Sequence, residues 1–438
     1  MSRRLVLIGA GHAHAIVLEA WARAPLAEVD LVVVSPYRIA PYSGMVPGWL
    51  AGAYRFDEIG IDFEALCARA GARWLPASLA RLDPSGRHVE LDDGTRLTYD
   101  LLSLNVGSTL TPPQGTGDAQ VLSMRPLSEL RVAWEALLER WVAPDDARPL
   151  RVTAVGGGAA GFESLLAVLR RLRALRHDRQ VLGALWSRSG ELLPGHPPSA
   201  RRAALRALRD AGVELRLGEG WRGESLSAGD LILWATGAQA HEWQRDPARR
   251  GDLAVGPEGF VAVDRQLRSV SHPEVFAAGD CADWAEPLPK AGVHAVRMGP
   301  VLAHNLRAAL LGEALRSHHP QSAFLTLLAT ADGRAIASRG AWSLSGRWAW
   351  RWKDRIDRAF VRRFSSPEDG PTRVGIVHGD AGSLAGIRRG GLRFDAIAIE
   401  ADPVRGEPVP QQSDQHDGRQ HRDPEVDAPA SDAGISRS

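Results

Sequence analysis

The chain has 438 residues, more than a single hydrophobic core usually contains, so its length predicts two or three domains. Hydrophobic residues make up 44% and charged residues 24%, a balance typical of soluble globular proteins and unlike that of disordered or membrane-spanning chains. The formal net charge of +1 argues against general nucleic-acid binding. No apolar stretch reaches about 18 residues, so no transmembrane helix is expected.

Cysteine and histidine usage narrows the chemistry. The two cysteines, Cys67 and Cys281, are far apart and lack CxxC or CxxxxC spacing. A redox-active disulfide is therefore not expected, because thiol-disulfide exchange needs two neighbouring sulfurs. The histidines lack an HExxH pattern or paired cysteines, so the sequence predicts no metal.

The N-terminal segment predicts a βαβ unit. A strand over residues 4–8 leads into a turn with Gly9 and Gly11, a helix to about Ala24 and a second strand over residues 30–34. Backbone N–H groups at such a turn, followed by a helix N-terminus, favour binding of a pyrophosphate.

Two departures weaken this first motif. His14 stands in place of the usual third glycine, and Ser35 replaces the acid expected at the end of the second strand. Taken alone, the turn fits dinucleotide binding and a purely structural strand–helix turn about equally well.

The next segment predicts an antiparallel layer and then a linker. Turn sequences at residues 83–86 and 92–94 separate short alternating strands, which indicates hairpins crossing over the first domain. Residues 143–149 read as the linker to a second domain.

A second, stronger βαβ pattern follows. An apolar strand over residues 151–155 precedes Gly156, Gly158 and Gly161, which give the full GxGxxG pattern before a helix and a strand over residues 181–186. This pattern predicts a nucleotide site.

Cofactor choice stays open at this second unit. Ser187 and Arg188 stand where an acid would bind the ribose 2′-OH of NADH, whereas arginine suits the 2′-phosphate of NADPH. A solvent-facing arginine at a strand end is the alternative interpretation of Arg188.

Two later apolar strands end in glycine motifs. Residues 233–237 and 275–280 resemble the two later fingerprints of the two-dinucleotide-binding-domain flavoproteins, the pyridine nucleotide-disulfide oxidoreductase superfamily. In that family, the residue matching Asp280 binds the flavin ribityl chain and phosphate. Two glycine turns and both fingerprints, in the correct order over about 280 residues, make a chance match improbable.

Further motifs resemble one branch of this superfamily. They are residues 11–14, 35–36, 41–48 and 289–293, which are similar to the NADH-dehydrogenase-like FAD domain often fused ahead of selenide, water dikinase. The similarity continues through residues 334–340 and covers roughly residues 1–365, and residues 366–438 are not expected to form a kinase domain.

The resemblance implies an α/β fold with two interleaved Rossmann-like domains, one for FAD and one for NAD(P)H, and a small C-terminal α+β region. It assigns residues 1–115 and 246–320 to the FAD domain and 150–245 to the NAD(P)H domain. The composition shifts toward Trp and Arg after these domains, which predicts a C-terminal interface region over residues 321–400, and the polar residues 401–438 have almost nothing to bury and predict a disordered tail. The cofactor-binding residues that it implies are Gly9, Gly11, His12, His14, Ser35, Pro36, Pro41, Ser43, Gly44, Met45, Gly107, Gly156, Gly158, Gly161, Arg188, Thr236, Gly237, Gly279, Asp280, Ala291, Gly292 and Val293.

Two residues are catalytic candidates through the same resemblance. Lys290 would place a cation near the flavin N1–C2=O edge, where it favours the anionic reduced flavin. Glu163 would face the nicotinamide from the start of its helix. Each has a structural alternative: a surface lysine after Pro289, and a favourable charge in a first helical turn. His12, His14 and His294 could relay protons or only satisfy backbone groups.

The expected function is hydride transfer from NAD(P)H to FAD and then electron transfer to a quinone-like or other small-molecule acceptor. Quinone-reducing relatives carry an Ala-Gln pair beside the flavin, whereas residues 290–294 here read Lys-Ala-Gly-Val-His, which puts quinone reduction in doubt. The alternatives are a flavin-binding redox sensor or accessory protein with slow turnover, in one version linked to selenium metabolism, and a monooxygenase of related fold.

Residues 348–364 predict a basic amphipathic helix. Trp352, Ile356, Phe360 and Phe364 recur on one stripe, and Arg351, Lys353, Arg355, Arg358 and Arg362 are expected on the remaining surface. The stripe fits peripheral contact with the inner face of the membrane by a cytoplasmic protein, or packing on the protein's own core or on a second subunit in a homodimer.

Overall fold

A computed structural model describes residues 2–111, 113, 116, 119–143, 149–223, 229–284, 286, 288–321 and 324–365. The predicted tail, residues 366–400 and most of the predicted linker lie outside these described residues. None of the described helices is long and apolar enough to cross a membrane.

The described chain alternates strands and helices. The strands are β1 (Arg3–Ile8), β2 (Val29–Val34), β3 (Ile39–Pro41), β4 (Gly60–Asp62), β5 (Arg73–Leu75), β6 (Leu79–Asp83), β7 (His88–Leu91), β8 (Arg96–Thr98), β9 (Leu101–Leu104), β10 (Gln120–Ser123), β11 (Leu150–Val155), β12 (Val181–Ser187), β13 (Val213–Leu217), β14 (Leu231–Trp234), β15 (Val261–Val263), β16 (Val275–Ala277), β17 (Ala282–Trp284), β18 (Thr326–Ala329), β19 (Ala335–Arg339) and β20 (Trp342–Gly346). The helices are α1 (His12–Arg23), α2 (Val46–Leu50), α3 (Phe56–Ile59), α4 (Phe63–Ala70), α5 (Leu127–Trp141), α6 (Ala159–Leu175), α7 (Pro198–Asp210), α8 (Glu242–Arg245), α9 (Pro247–Arg250), α10 (Gly292–Leu311) and α11 (Arg347–Arg362), with short 3₁₀ turns at Ser43–Met45 and Gly279–Cys281.

The first sheet is parallel throughout, in the order β16-β9-β1-β2-β5. Its central strand is buried on both faces. Leu5 and Leu7 pack with α1, α4 and α10, whereas Val6 and Ile8 pack against the antiparallel layer β6-β7-β8. Burial on both faces explains the near-continuous apolar run in β1. The hairpin layer predicted from the sequence is confirmed.

The second sheet is also parallel, in the order β10-β14-β11-β12-β13. Its strands lie between residues 120 and 234, so the chain leaves the first sheet after β9 and returns to it only at β16. Reciprocal backbone hydrogen bonds of 2.9 Å between Thr109 and Gln239 join the outgoing and returning segments. The predicted arrangement of two interleaved Rossmann-like domains is confirmed.

The C-terminal region consists of the antiparallel sheet β18-β19-β20 and α11. α11 packs on this sheet and also returns to the first domain, where Phe360 and Phe364 join the core around α1 and α10. The Tyr54 hydroxyl donates to the Asp354 carboxylate at 2.7 Å and fixes the middle of the helix.

The predicted stripe on α11 is partly wrong. Trp352 and Ile356 are only half-buried, and the buried positions at this end of the helix are Ala349, Lys353 and Asp357. The apolar pattern gave a partly wrong prediction because Trp352 lies at the edge of the buried face. The ion pair of Lys353 and Asp357 occupies the side of the helix that faces the core.

Lys353 corrects a second expectation. It was predicted on the exposed basic surface, but it is only 5% exposed. Its ammonium pairs with the carboxylate of Asp357 one turn later. Such pairing is the usual condition for burying a lysine.

Candidate functional site

The carboxyl ends of β1, β9 and β16 meet at one edge of the first sheet, and Asn105 connects them. Its Oδ1 accepts hydrogen bonds from the N–H groups of Ala13 and His14 at 3.1 and 3.2 Å. Its Nδ2 donates to the carbonyl of Ala278 at 2.6 Å. Asn105 was not predicted as a site residue, although a polar residue directly after a buried parallel strand is a signal for this edge.

The glycine turn after β1 fits a pyrophosphate. A Cβ on Gly11 would lie 2.0 Å from Asn105 Oδ1, and one on Gly9, where φ is +100°, would lie 2.5 Å from the Asn105 carbonyl oxygen. The N–H groups of Gly11 and His12 have no partner among the described residues. They are therefore free to bind the phosphate oxygens of FAD at the N-terminus of α1.

The two histidines of this turn are neutral, with His14 buried and His12 half-buried. His14 takes the place of the third glycine and bridges the Gly9 carbonyl, 2.7 Å from Nδ1, and the Ser103 hydroxyl, 2.8 Å from Nε2. Burial lowers the pKa of both His12 and His14 to about 4. Neither ring is suited to carry a proton at neutral pH, so a structural role is the better supported alternative.

Asp280 lies in the 3₁₀ turn after β16, next to Gly279. Its carboxylate accepts a hydrogen bond from Ser108 at 3.1 Å and contacts the guanidinium of Arg125. Arg125 also donates to the carbonyl of Lys290 at 3.3 Å. Arg125 was not predicted as a site residue, because it follows β10 of the second sheet and no short sequence motif marks its contact with the first domain.

A loop and the N-terminus of α10 close this site. Pro41 ends β3, and the Ser43–Met45 turn follows it. A Cβ on Gly292 would lie 2.7 Å from Ser43 Oγ and 3.7 Å from the His12 ring, so these predicted residues are brought together.

The remaining predicted residues of the first site lie at or near strand and helix ends. Ser35 and Pro36 follow β2, Gly107 follows β9, Ala291 precedes α10, and Val293 is in its first turn. The structure thus brings segments separated by more than 250 residues to one sheet edge.

The second site lies at the carboxyl edge of the second sheet. Gly156 and Gly161 are tightly packed, since a Cβ on Gly156 would lie 2.2 Å from the Ala235 carbonyl oxygen and one on Gly161 would lie 2.0 Å from that of Gly156. A Cβ on Gly158 or Gly237 would meet nothing within 4 Å. The open space at the N-terminus of α6 fits a dinucleotide.

Two further predicted residues flank this edge. Thr236 directly follows Ala235 after β14, and the exposed Arg188 directly follows β12. The backbone N–H of Glu219 donates to the Ser187 carbonyl at 3.1 Å. The acidic residue Glu219 therefore lies at the same strand end as Arg188.

Lys290 is held by protein groups. Its Nζ donates to the Ala282 carbonyl at 2.6 Å and lies 3.8 Å from the centre of the Phe260 ring. Burial lowers the pKa of Lys290, and the charges of Asp283 and Asp280 oppose that change. Its catalytic role stays a prediction.

Glu163 lies near the N-terminal end of α6 in a cluster with Lys353 and Asp357, here called the Glu163 cluster. Its Oε1 accepts a hydrogen bond from the N–H of Ala329 at 2.7 Å. Lys353 donates to Asp357 at 2.7 Å and to the Gly44 carbonyl at 2.6 Å. Burial raises the pKa of Glu163 to about 7 against the opposing charge of Lys353.

The Glu163 cluster therefore connects the two predicted sites. Glu163 comes from the NAD(P)H-side helix, Gly44 from the predicted flavin loop, and Lys353 from the C-terminal helix. The cluster supplies a half-buried carboxyl group, that of Glu163, which can change its protonation near neutral pH.

Comparisons with known proteins agree with this architecture. A profile of the family described as "Pyridine nucleotide-disulphide oxidoreductase" matches residues 3–299. The "Ferroptosis suppressor protein 1" of Taeniopygia guttata is 26% identical over 359 residues, which are 76% of this chain and 88% of that protein. A "NADH dehydrogenase-like protein" of Mycobacterium tuberculosis is 28% identical over 238 residues, which are 49% of this chain and 56% of that protein.

The solved structures show the same fold. The sulfide:quinone oxidoreductase of Aquifex aeolicus superposes with a TM-score of 0.67 at 15% identity, covering 83% of this chain and 91% of that one. The family profile spans both glycine turns and both later fingerprints. The chain therefore belongs to the pyridine nucleotide-disulphide oxidoreductase family and is an NAD(P)H-dependent oxidoreductase that uses FAD.

Proposed function

We propose that the enzyme passes electrons from NAD(P)H through FAD to a small-molecule acceptor of the quinone type. FAD, when bound, accepts the hydride of NAD(P)H and delivers its electrons to the acceptor. Reduction of a quinone to a hydroquinone takes up two electrons and two protons, whereas the hydride brings two electrons and a single proton. The second proton must come from solvent through a protein group.

The observation that carries this proposal is the position of Glu163. It lies half-buried between the NAD(P)H-side helix and the C-terminal sheet, and its pKa is raised to about 7, so it can release and regain a proton near neutral pH. Lys353 holds the Gly44 carbonyl and keeps a positive charge beside Glu163. This charge stabilises the carboxylate after the proton has left.

The comparisons support this acceptor class without identifying the acceptor. The Aquifex aeolicus protein of the same fold is named for quinone reduction. Residues 290–294, Lys-Ala-Gly-Val-His, still differ from the Ala-Gln pair of quinone-reducing relatives. An accessory flavoprotein with slow turnover is therefore the competing function.

The test compares one acceptor that takes up protons on reduction with one that takes up none. The full chain with FAD is reduced anaerobically by NADPH or NADH and mixed with a water-soluble quinone or with ferricyanide, which accepts electrons without protons. Glu163→Gln should slow reoxidation by the quinone and leave reoxidation by ferricyanide unchanged. Glu139→Gln, on the exposed face of α5, is the matched control.

Equal slowing of reoxidation with both acceptors would show that Glu163 takes no part in proton transfer to the quinone. Reduction by NAD(P)H without reoxidation by any small acceptor would favour the accessory flavoprotein. Wild-type turnover with ferricyanide but not with quinones would contradict the acceptor class itself.

We also propose reversible contact with a membrane surface through the C-terminal region. Trp342, Leu344 and Trp348 are 45%, 61% and 46% exposed, and Trp348 stacks on Trp352 with 6.1 Å between ring centres. Exposed arginines, among them Arg347, accompany this apolar surface. Indole rings beside cations favour the headgroup region of anionic lipid.

A further inference from the structure

We infer that the second site binds both nicotinamide dinucleotides, with Glu219 accepting a hydrogen bond from the ribose 2′-hydroxyl of NADH and Arg188 binding the 2′-phosphate of NADPH. Glu219 is thus a specificity-determining residue, and it lies on a different strand from the one where such an acid is expected. The inference rests on the use of NAD(P)H that follows from family membership, and it is independent of the acceptor proposed above.

The end of β12 lacks the acid that usually binds this ribose. In dinucleotide-binding folds, an Asp or Glu at the end of the second strand accepts the 2′-hydroxyl. Here that strand ends at Ser187, which is 7% exposed. A Cβ on Gly157 would lie 2.6 Å from Ser187 Oγ, and the same oxygen accepts a hydrogen bond from the Ser189 N–H at 3.3 Å. Ser187 is therefore packed against the glycine turn, which leaves no space for a longer acidic side chain in the same orientation.

The neighbouring strand supplies an acid at the same strand end. Glu219 lies two residues after β13, which pairs with β12 in parallel. Its backbone N–H donates to the Ser187 carbonyl at 3.1 Å. A Cβ on Gly220 would lie 3.6 Å from Arg188 Cγ, so the backbone next to Glu219 also contacts the arginine side chain. Backbone contacts on both sides therefore hold Glu219 beside Arg188.

The two loops that follow β12 and β13 leave open space. The N–H of Gly218 donates to the Ser189 carbonyl at 3.0 Å and joins these loops. A Cβ on Gly190 or on Gly218 would meet nothing within 4 Å. Ligands of open parallel sheets bind in the crevice outside the carboxyl ends of the strands. This crevice therefore has room for a ribose beside Arg188 and Glu219.

Two other acids near these strand ends are already paired. Glu191 forms an ion pair with Arg201 of α7, and Glu214 forms one with Arg216 at 2.7 Å. The exposed carboxylate of Glu219 has no hydrogen-bond or ion-pair partner among the described residues. It can accept a ribose hydroxyl without first breaking an ion pair, so it is the better candidate of the three.

Glu219 and Arg188 suit the two chemical forms of one ribose position. A carboxylate accepts a charge-assisted hydrogen bond from a hydroxyl and repels a phosphate. A guanidinium group presents parallel N–H bonds that match the oxygens of a phosphate. NADH is therefore stabilised at Glu219, and NADPH is stabilised at Arg188 against the repulsion of Glu219. The two residues together predict that the enzyme uses both cofactors.

Isothermal titration calorimetry on the full chain with FAD tests the inference with NAD⁺ and NADP⁺, which carry the same ribose and cannot reduce the flavin. Wild type should bind both, with dissociation constants within about tenfold of each other. Glu219→Gln should weaken NAD⁺ binding roughly tenfold and tighten NADP⁺ binding, because the repulsion of the 2′-phosphate is lost. Arg188→Gln should have the opposite effect, weakening NADP⁺ binding roughly tenfold without weakening NAD⁺ binding.

Glu139→Gln is the matched control, because it removes the same charge from α5, which packs beside β10 at the opposite edge of the same sheet. Both of its affinities should equal those of wild type. Thermal melting of each variant confirms folding, and Glu219→Asp, which keeps the charge, should weaken NAD⁺ binding less than Glu219→Gln does.

Equal effects of Glu219→Gln on the two nucleotides, or no effect on either, overturn the role of Glu219. Binding of only one nucleotide by wild type overturns the use of both cofactors. The titration contains no electron acceptor, so these outcomes are distinguishable from a failure of the proposed quinone reduction.

Discussion

Lys353 and Asp357 form a buried ion pair on α11, with the ammonium nitrogen 2.7 Å from the carboxylate and 7% of each side chain exposed. Replacing Lys353 with Met should lower the free energy of unfolding by about 3–5 kcal/mol, because the buried Asp357 would lose its cation. Urea denaturation measures this change.

An exposed pair of the same spacing provides the control. Arg131 and Glu135 on α5 lie 3.0 Å apart at i,i+4. Glu135→Gln should change the free energy of unfolding by less than about 1 kcal/mol. Combining Lys353→Met with Asp357→Leu should restore part of the lost stability. Equal small losses at both pairs would show that the buried pair does not stabilise α11.

Glu163 should make the stability depend on pH. Burial raises its pKa from 4.5 to about 7, so between these values the folded protein holds a proton that the unfolded chain has released. The unfolded state binds fewer protons in this window, and the free energy of unfolding falls as the pH rises through it. Glu163→Gln cannot ionise and lacks this fall.

Melting temperatures of both proteins between about pH 4 and pH 8 test this prediction. The difference, variant minus wild type, should grow as the pH rises through the window and level off above about pH 7. A difference that is constant with pH would contradict the raised pKa of Glu163.

Arg188 should govern cofactor choice. Replacing it with Glu should lower kcat/KM for NADPH more than for NADH, by roughly 1.5–3 kcal/mol, because one charge-assisted contact with the 2′-phosphate is lost. Arg206→Glu makes the same charge change on the exposed face of α7 and should leave the ratio unchanged. Equal losses with both cofactors would show that Arg188 does not contact the phosphate.

Membrane contact should depend on the exposed tryptophans. Co-sedimentation with anionic vesicles should fall in high salt and fall further when Trp342 and Trp348 are both replaced with Ala. Val132→Ala, at an apolar position that is 70% exposed on α5, should bind like wild type. If the wild-type protein stays in the supernatant at low salt, membrane contact is contradicted. The surface of Trp342 and Trp348 would then be interpreted as a protein contact.

Local patterns along the chain predicted the two βαβ units correctly. Gly156, Gly158 and Gly161 follow an apolar strand at the spacing that the turn requires, and the structure shows why two of them cannot carry a Cβ. The replacement of the third glycine by His14 weakened the first prediction. The structure shows that His14 fills this position by bonding Gly9 and Ser103.

The interleaving of the domains came from a resemblance and not from any local pattern. β16 resembled a family fingerprint, but its pairing with β9 joins residues more than 170 positions apart. Hydrophobic periodicity reports burial of a strand and does not report its neighbours. The strand order of the first sheet could therefore be read only from the tertiary structure.

Strand and helix periods and the glycine turns predicted the two βαβ units from the sequence alone, since these units depend on residues close together in the chain. The tertiary structure decided the rest. Lys353 reaches the Gly44 carbonyl across 309 positions, and Asn105 reaches Ala278 across 173. A lysine among arginines on an amphipathic helix predicts an exposed cation, and only packing against Asp357 and Gly44 makes its burial favourable.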